Sequence, residues 1–158
     1  MKKNLLDAIA YYAQHSPARE ALVTAQHSVS YGALQMLVSR LAAELSQMQI
    51  RSLALCGSNS IAWIAADLAA KKANITVIPV PLFFSAAQIR HLLQDSRADA
   101  VFMPAELSGG QPAAPEWLQA LQASHAVKRI AAADAVKGQF IYLAHTGGLA
   151  EHSAKPSK

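Results

Sequence analysis

The chain has 158 residues, 53% of them hydrophobic and 15% charged, with a formal net charge of +4. That balance supports one domain with a packed core and excludes disorder over most of the length. The basic residues are scattered, apart from Lys2-Lys3, Lys71-Lys72, Lys128-Arg129 and the tail, and no basic stripe is interleaved with aromatics, which argues against a nucleic-acid partner.

Cys56 is the single cysteine, so an internal disulfide and a multi-cysteine zinc site are both excluded. Its place in the apolar run Leu53–Cys56 predicts a small buried hydrophobe. The opening residues MKKNLLDAIAYY carry a helical pattern and Asp7 rather than the apolar core of a signal peptide. Asp67 and Lys71-Lys72 interrupt the most apolar region, so no membrane span and a cytoplasmic location are expected.

Leu5, Leu6, Ile9 and Tyr12-Ala13 recur at helical spacing until Ser16-Pro17. Residues 21–30 hold two short apolar runs around Gln26-His27-Ser28, which suggests a small hairpin. From Tyr31 a long amphipathic helix follows, carried by Leu34, Leu37-Val38, Leu41, Leu45 and Met48 and capped by Ser30. Ser52–Cys56 reads as a strand closed by Gly57-Ser58-Asn59-Ser60. The alanine-rich stretch Ile61–Ala73 is apolar nearly all round and predicts a helix buried on most sides.

Ile75–Val80 is strongly β-branched and reads as a buried strand. Ser85-Ala86-Ala87-Gln88 fits a capping box that opens a helix over Ala86–Gln94. Asp99–Met103 predicts a strand, Leu107–Pro115 a surface loop, and Pro115–Ala126 a helix; Arg129–Ala132 and Gln139–Ala144 predict two further strands. The alternation implies crossovers and a parallel sheet. The expected fold is an α/β three-layer sheet with mainly parallel strands and flanking helices, over residues 1–148, with 149–158 as a disordered tail.

Ligands of an open α/β sheet bind beyond the carboxyl ends of its strands. The candidate ends are Gly57–Ser60, Pro81–Phe84 and His145–Gly148. The first carries no dinucleotide or P-loop pattern and reads more simply as a helix cap. The second could line a pocket, although core or interface packing is the commoner fate of such residues. None of the six histidines lies three or four residues from another, so no metal site is expected, and no G-x-S-x-G elbow supports a hydrolase. His91 reads as a surface or capping residue, Asp95 and Asp99 as local solvation or capping. No catalytic residue is singled out.

Several stretches together resemble the amino-terminal part of the adenylate-forming, AMP-binding superfamily of acyl-CoA synthetases and adenylation domains. VSYGALQMLVSRLAAEL (29–45), SLALCGSNSIAWIAADLAAKKANITVIPV (52–80), Ser85–Ile89 and Asp95–Asp99 resemble successive family segments in order and spacing over residues 4–105. The resemblance implies activation of a carboxylic acid by ATP with Mg²⁺, followed by transfer to coenzyme A or a carrier protein.

It also implies that Thr146, Gly147 and Gly148 stand where the family's triphosphate loop lies, after a strand. Thr146 and Gly148 match that loop. Leu143, Ala144 and His145 replace Thr, Ser and Gly, and Leu149-Ala150-Glu151 follows where Pro-Lys-Gly belongs. Two hydroxyl donors and a lysine charge are thereby lost.

The expectation is therefore an amino-terminal fragment of a carboxylate-activating ligase, inactive by itself and prone to self-association through exposed apolar surface. The alternatives are a non-catalytic interaction module of the same fold and a small nucleotide-binding α/β protein. Whether the acid is fatty, aromatic or an amino acid is left open.

Overall fold

Helix α1 (Leu5–His15) opens on a capping box: the Asn4 side chain accepts the Asp7 N–H at 2.8 Å, and the Asp7 carboxylate accepts the Asn4 N–H at 3.3 Å. The computed structural model of the chain describes residues 4–57, 59–104, 116–133 and 136–143. After α1, strands β1 (Glu20–Val23) and β2 (Ser28–Ser30) form a separate antiparallel pair. The remaining elements are α2 (Tyr31–Gln47), β3 (Ser52–Leu55), α3 (Ile61–Lys72), β4 (Thr76–Pro79), α4 (Ala86–Ser96), β5 (Ala100–Pro104), α5 (Glu116–Ser124), β6 (Val127–Ala133) and β7 (Val136–Tyr142).

Serine hydroxyls start the longer helices. Ser30 accepts the Ala33 N–H, Ser60 the Trp63 N–H, and Ser85 the Gln88 N–H, while the Gln88 amide oxygen answers the Ser85 N–H at 2.8 Å. Three of the five joints from helix to strand among the described residues share another device. Gln49, Asn74 and Arg97 hold φ of 57°, 60° and 52°, the left-handed conformation that stops a helix and turns the chain back.

The main sheet runs β4-β3-β5-β7-β6. β3 pairs in parallel with β4 and β5, β7 is antiparallel to β5, and β6 is antiparallel to β7. Four of these five strands therefore point one way, and β7 alone is reversed. Successive residues of β5 feed opposite faces. Ala100 and Phe102 join α2 and α3 in one core that includes Leu41, Leu45 and Phe140, while Val101 and Met103 join Ile89, Leu93 and Leu118 of α4 and α5 in the other. This is the expected three-layer α/β architecture, and α1 packs outside it on α2.

Two expectations change in detail. Within Ile75–Val80 the strand Thr76–Pro79 lies at the sheet edge: Thr76 and Pro79 are exposed and Val77 and Ile78 half-buried, while the flanking Ile75 and Val80 are buried as expected. β-branching reports a fit to a pleated surface, not a place inside a sheet. The last two strands form a hairpin rather than two parallel strands joined by crossovers, and β7 begins at Val136 rather than Gln139. Gly138 lies within β7. A Cβ there would sit 2.6 Å from the Met103 carbonyl oxygen and 2.7 Å from the Phe102 ring, so the strand passes too close to β5 for a side chain.

Candidate functional site

The carboxyl ends of β3, β4 and β5 lie together at one edge of the sheet. The Val80 N–H donates to the Leu55 carbonyl at 3.0 Å, and the Cys56 N–H donates to the Phe102 carbonyl at 3.1 Å. β3 then turns at Gly57, whose φ of +125° and whose Cα, with any Cβ falling 2.9 Å from Pro104 Cγ, both require glycine. From there Ser60 starts α3.

The result is an open crevice of about 380 Å³ lined by Leu55, Gly57, Asn59, Trp63, Pro79 and Leu82, among others. Beneath it a void of about 50 Å³ reaches Cys56, Met103 and Leu118. Burial alone pushes the Cys56 thiol up to about 12, so it stays protonated and inert.

The Pro81–Phe84 stretch divides its roles. Pro81 and Leu82 line the crevice, Phe84 packs against the core under α4, and Phe83 is 86% exposed. Pocket lining and core packing thus both occur in one four-residue loop. The crevice lining carries no charged side chain among the described residues, only the Asn59 amide and the Trp63 indole as polar groups. Such a shelf can hold a flat apolar group. It offers no general base, and no group of acidic, histidine and cysteine side chains able to hold a metal occurs among the described residues.

Thr146, Gly147 and Gly148 lie outside the described residues, as do Leu107–Pro115 and the tail. The strand that leads to them is described. Phe140 and Ile141 are fully buried, and the Leu143 N–H donates to the Asp99 carbonyl at 2.9 Å. Because β7 is reversed, Leu143 stands at the amino edge of β3 and β5, opposite Gly57 and Pro81. The described end of β7 therefore does not share an edge with Gly57 and Pro81, contrary to the expectation of a parallel sheet.

That amino edge is organised by Asp99, which is 7% exposed. Its carboxylate accepts the Arg51 N–H at 2.6 Å and the Ser52 N–H at 3.2 Å, and its own N–H donates to the Ser52 hydroxyl at 3.1 Å. It is a clamp between β3 and β5 rather than a locally solvated cap. On the neighbouring face Lys128 bridges Glu44 at 2.6 Å. The Tyr142 phenol beside that pair is pushed up by burial, with Lys128 opposing the shift and Glu44 adding to it.

His91 is exposed on α4, in keeping with its reading as a surface residue. A second cavity, about 290 Å³, opens between α4 and α5 against Arg90, Leu93, Trp117, Leu121 and His125. No sequence signal marks it, because its two walls are separate in the chain and meet only in the folded structure.

A family model described as AMP-binding enzyme matches residues 9–155. Among curated proteins no match was found. Among solved structures, the chain is similar to the inhibitor-bound N-terminal domain of FACL13 from Mycobacterium tuberculosis, with TM-score 0.58 and 24% identity over 63% of this chain and 26% of that one. It is also similar to coronafacic acid ligase from Pectobacterium brasiliense, with TM-score 0.59 and 22% identity over 63% of this chain and 20% of that one. The N-terminal subdomain of NpsA from Klebsiella oxytoca, in complex with 3-hydroxybenzoyl-AMSN, gives TM-score 0.55 and 25% identity over 62% of this chain and 26% of that one. The matched region thus spans about a fifth to a quarter of these relatives.

Proposed function

The chain belongs to the AMP-binding enzyme family, and on that premise we propose that it is the amino-terminal portion of an ATP-dependent ligase that activates a carboxylic acid as its acyl-adenylate. The observation that carries the reading is the family match over residues 9–155 together with the shared fold. The implied partners of the whole ligase are ATP with Mg²⁺, the acid, and coenzyme A or a carrier protein as acceptor, and the implied location is the cytoplasm. No helix among the described residues is long and apolar enough to cross a membrane, which agrees with that location.

The described residues do not themselves fit ATP. The crevice at the carboxyl edge has no cation to meet a triphosphate, and the Ser60 hydroxyl already occupies the Trp63 N–H in the first turn of α3. Thr146, Gly147 and Gly148 remain the proposed phosphate contacts, weakened by Leu143, Ala144 and His145 in place of small or hydroxylated residues. The 158-residue chain is accordingly inactive in adenylation by itself.

Two experiments test this. Reading the coding DNA past Lys158 in all three frames should reveal a Pro-Lys-Gly continuation and an aromatic-Gly-x-Thr-Glu motif; open reading without either would count against the ligase reading. Pyrophosphate exchange by the purified chain with a panel of fatty, aromatic and amino acids should stay at background, and exchange with any of them would overturn the inactivity.

A further inference from the structure

The two outer strands of the main sheet differ in what they offer to another chain. In β4 the inward bonds come from Thr76 and Val80, whose N–H groups donate to Arg51 and Leu55. Val77 and Pro79 therefore face outward, and proline has no N–H, so this short edge presents a single donor.

β6 is seven residues long and contains no proline. The Tyr142 N–H donates to the Ala126 carbonyl at 3.0 Å, which makes Ala126 and Tyr142 a bonded pair of the β6–β7 ladder. Bonded pairs alternate in an antiparallel ladder, so Lys128 and Ile130 turn their backbone groups toward β7, while Val127, Arg129 and Ala131 turn theirs outward. Among the described residues Val127 and Arg129 have no backbone partner on that outer side.

We propose that this edge pairs with the β6 edge of a second copy of the chain, antiparallel and about a twofold axis at Ile130. The outward groups fix the register. With Ile130 opposite its own copy, Arg129 lies opposite Ala131 of the second copy, and the two positions exchange both backbone bonds, twice over by symmetry. Lys128 then lies opposite Ala132, so each cation faces an alanine.

A centre at Arg129 or Lys128 would set like charges directly opposite each other, which is destabilising. A centre at Ala131 would carry a bonded pair, Arg129 with Ala133, across the irregularity between Ala131 and Ala133, whereas the bonded pairs centred on Ile130 stop at Ala131. Among twofold registers centred from Lys128 to Ala131, only the one at Ile130 forms two bonded pairs inside the strand with no like charges directly opposite, which favours a second copy over an unrelated peptide. The inference stands apart from the ligase reading, since it depends only on the geometry of β6.

Sedimentation of the full chain over a rising concentration series tests it. The weight-average mass should climb toward twice that of the monomer. Ala131→Pro, which removes an outward donor and leaves the β7 ladder intact, should hold the chain monomeric at every concentration. Phe83→Ser, which alters the exposed apolar loop instead, should leave the dimer in place.

Under mild oxidation Ile130→Cys should give a disulfide-linked dimer about tenfold faster than Arg129→Cys, because only the former brings the two Cα atoms within disulfide reach. Buried Cys56 does not compete in that reaction. A wild-type chain that stays monomeric, a dimer that survives Ala131→Pro, or equal cross-linking from the two cysteine variants would each overturn the proposal. Should Ala131→Pro fail to fold, the cross-linking pair still decides it.

Discussion

The two ends of the main sheet's central strands are built in opposite ways. At the amino edge Asp99 draws in Arg51 and Ser52 from β3 and Leu143 from the end of β7, so four backbone N–H and C=O groups from distant parts of the chain close on one residue. At the carboxyl edge no carboxylate among the described residues gathers backbone groups in this way, and an open crevice of about 380 Å³ lies beside Gly57, Pro79 and Pro81. Hydrogen bonds are concentrated where strands must be aligned, and the opposite edge is left with room. This matches the general placement of ligands beyond the carboxyl ends of α/β strands.

Four perturbations would sharpen or break that contrast. The largest effect is expected at Cys56, under the floor of the crevice. Alkylation of the native thiol at pH 8 should be slower than in the unfolded chain by on the order of a hundredfold or more. Because folding raises this group from 9.0 to about 12, the protonated thiol favours the native state. Its contribution is complete below pH 9 and is lost as pH rises toward 12, so urea unfolding of the wild type should weaken over that range more steeply than that of Cys56→Ala. A thiol that reacts freely in the native chain would mean that the crevice floor is open.

Next comes the clamp. Asp99→Ala strands the Arg51 and Ser52 N–H groups at a half-buried site and should cost about 2–3 kcal/mol in denaturant unfolding, with Asp99→Asn recovering part of it. Gly57→Ala forces a left-handed conformation and a contact with Pro104, for about 1–2 kcal/mol. A loss at Gly57 larger than that at Asp99 would reverse the contrast between the edges. The smallest effect belongs to Phe83→Ser, whose ring is 86% exposed. Its stability should stay within about 0.5 kcal/mol of wild type while binding of an apolar dye falls.

Much of this fold is legible in the sequence, and the parts that are not have local causes. Ser30, Ser60 and the Ser85–Gln88 box mark helix starts because capping depends on neighbours three residues away. The Asn4–Asp7 box obeys the same rule and could have been read equally well. The alanine-rich pattern of Ile61–Ala73 likewise anticipated a helix buried on most sides, with Ala65, Ala66, Leu68 and Ala69 in the core.

Asp99 resisted such reading because its partners lie 47 and 48 residues away. The reversal of β7 was hidden for a related reason. The need for glycine at position 138 shows only once Phe102 and the Met103 carbonyl are placed across from it. The crevice lies at two candidate strand ends, Gly57 and Pro81, although the sequence favoured a helix cap at the first and packing at the second. The cavity between α4 and α5 was not anticipated, since its walls share no motif.

Three of the joints from helix to strand carry a quieter consequence. Gln49, Asn74 and Arg97 all adopt the left-handed conformation without being glycine, at a steric cost of about 1 kcal/mol each. Each joint thus keeps a margin that a single change to glycine would release, with no alteration to the core, the clamp or the crevice. The chain holds part of its capacity for adaptation in its corners, where a destabilising change elsewhere could be offset without disturbing any surface that meets another molecule.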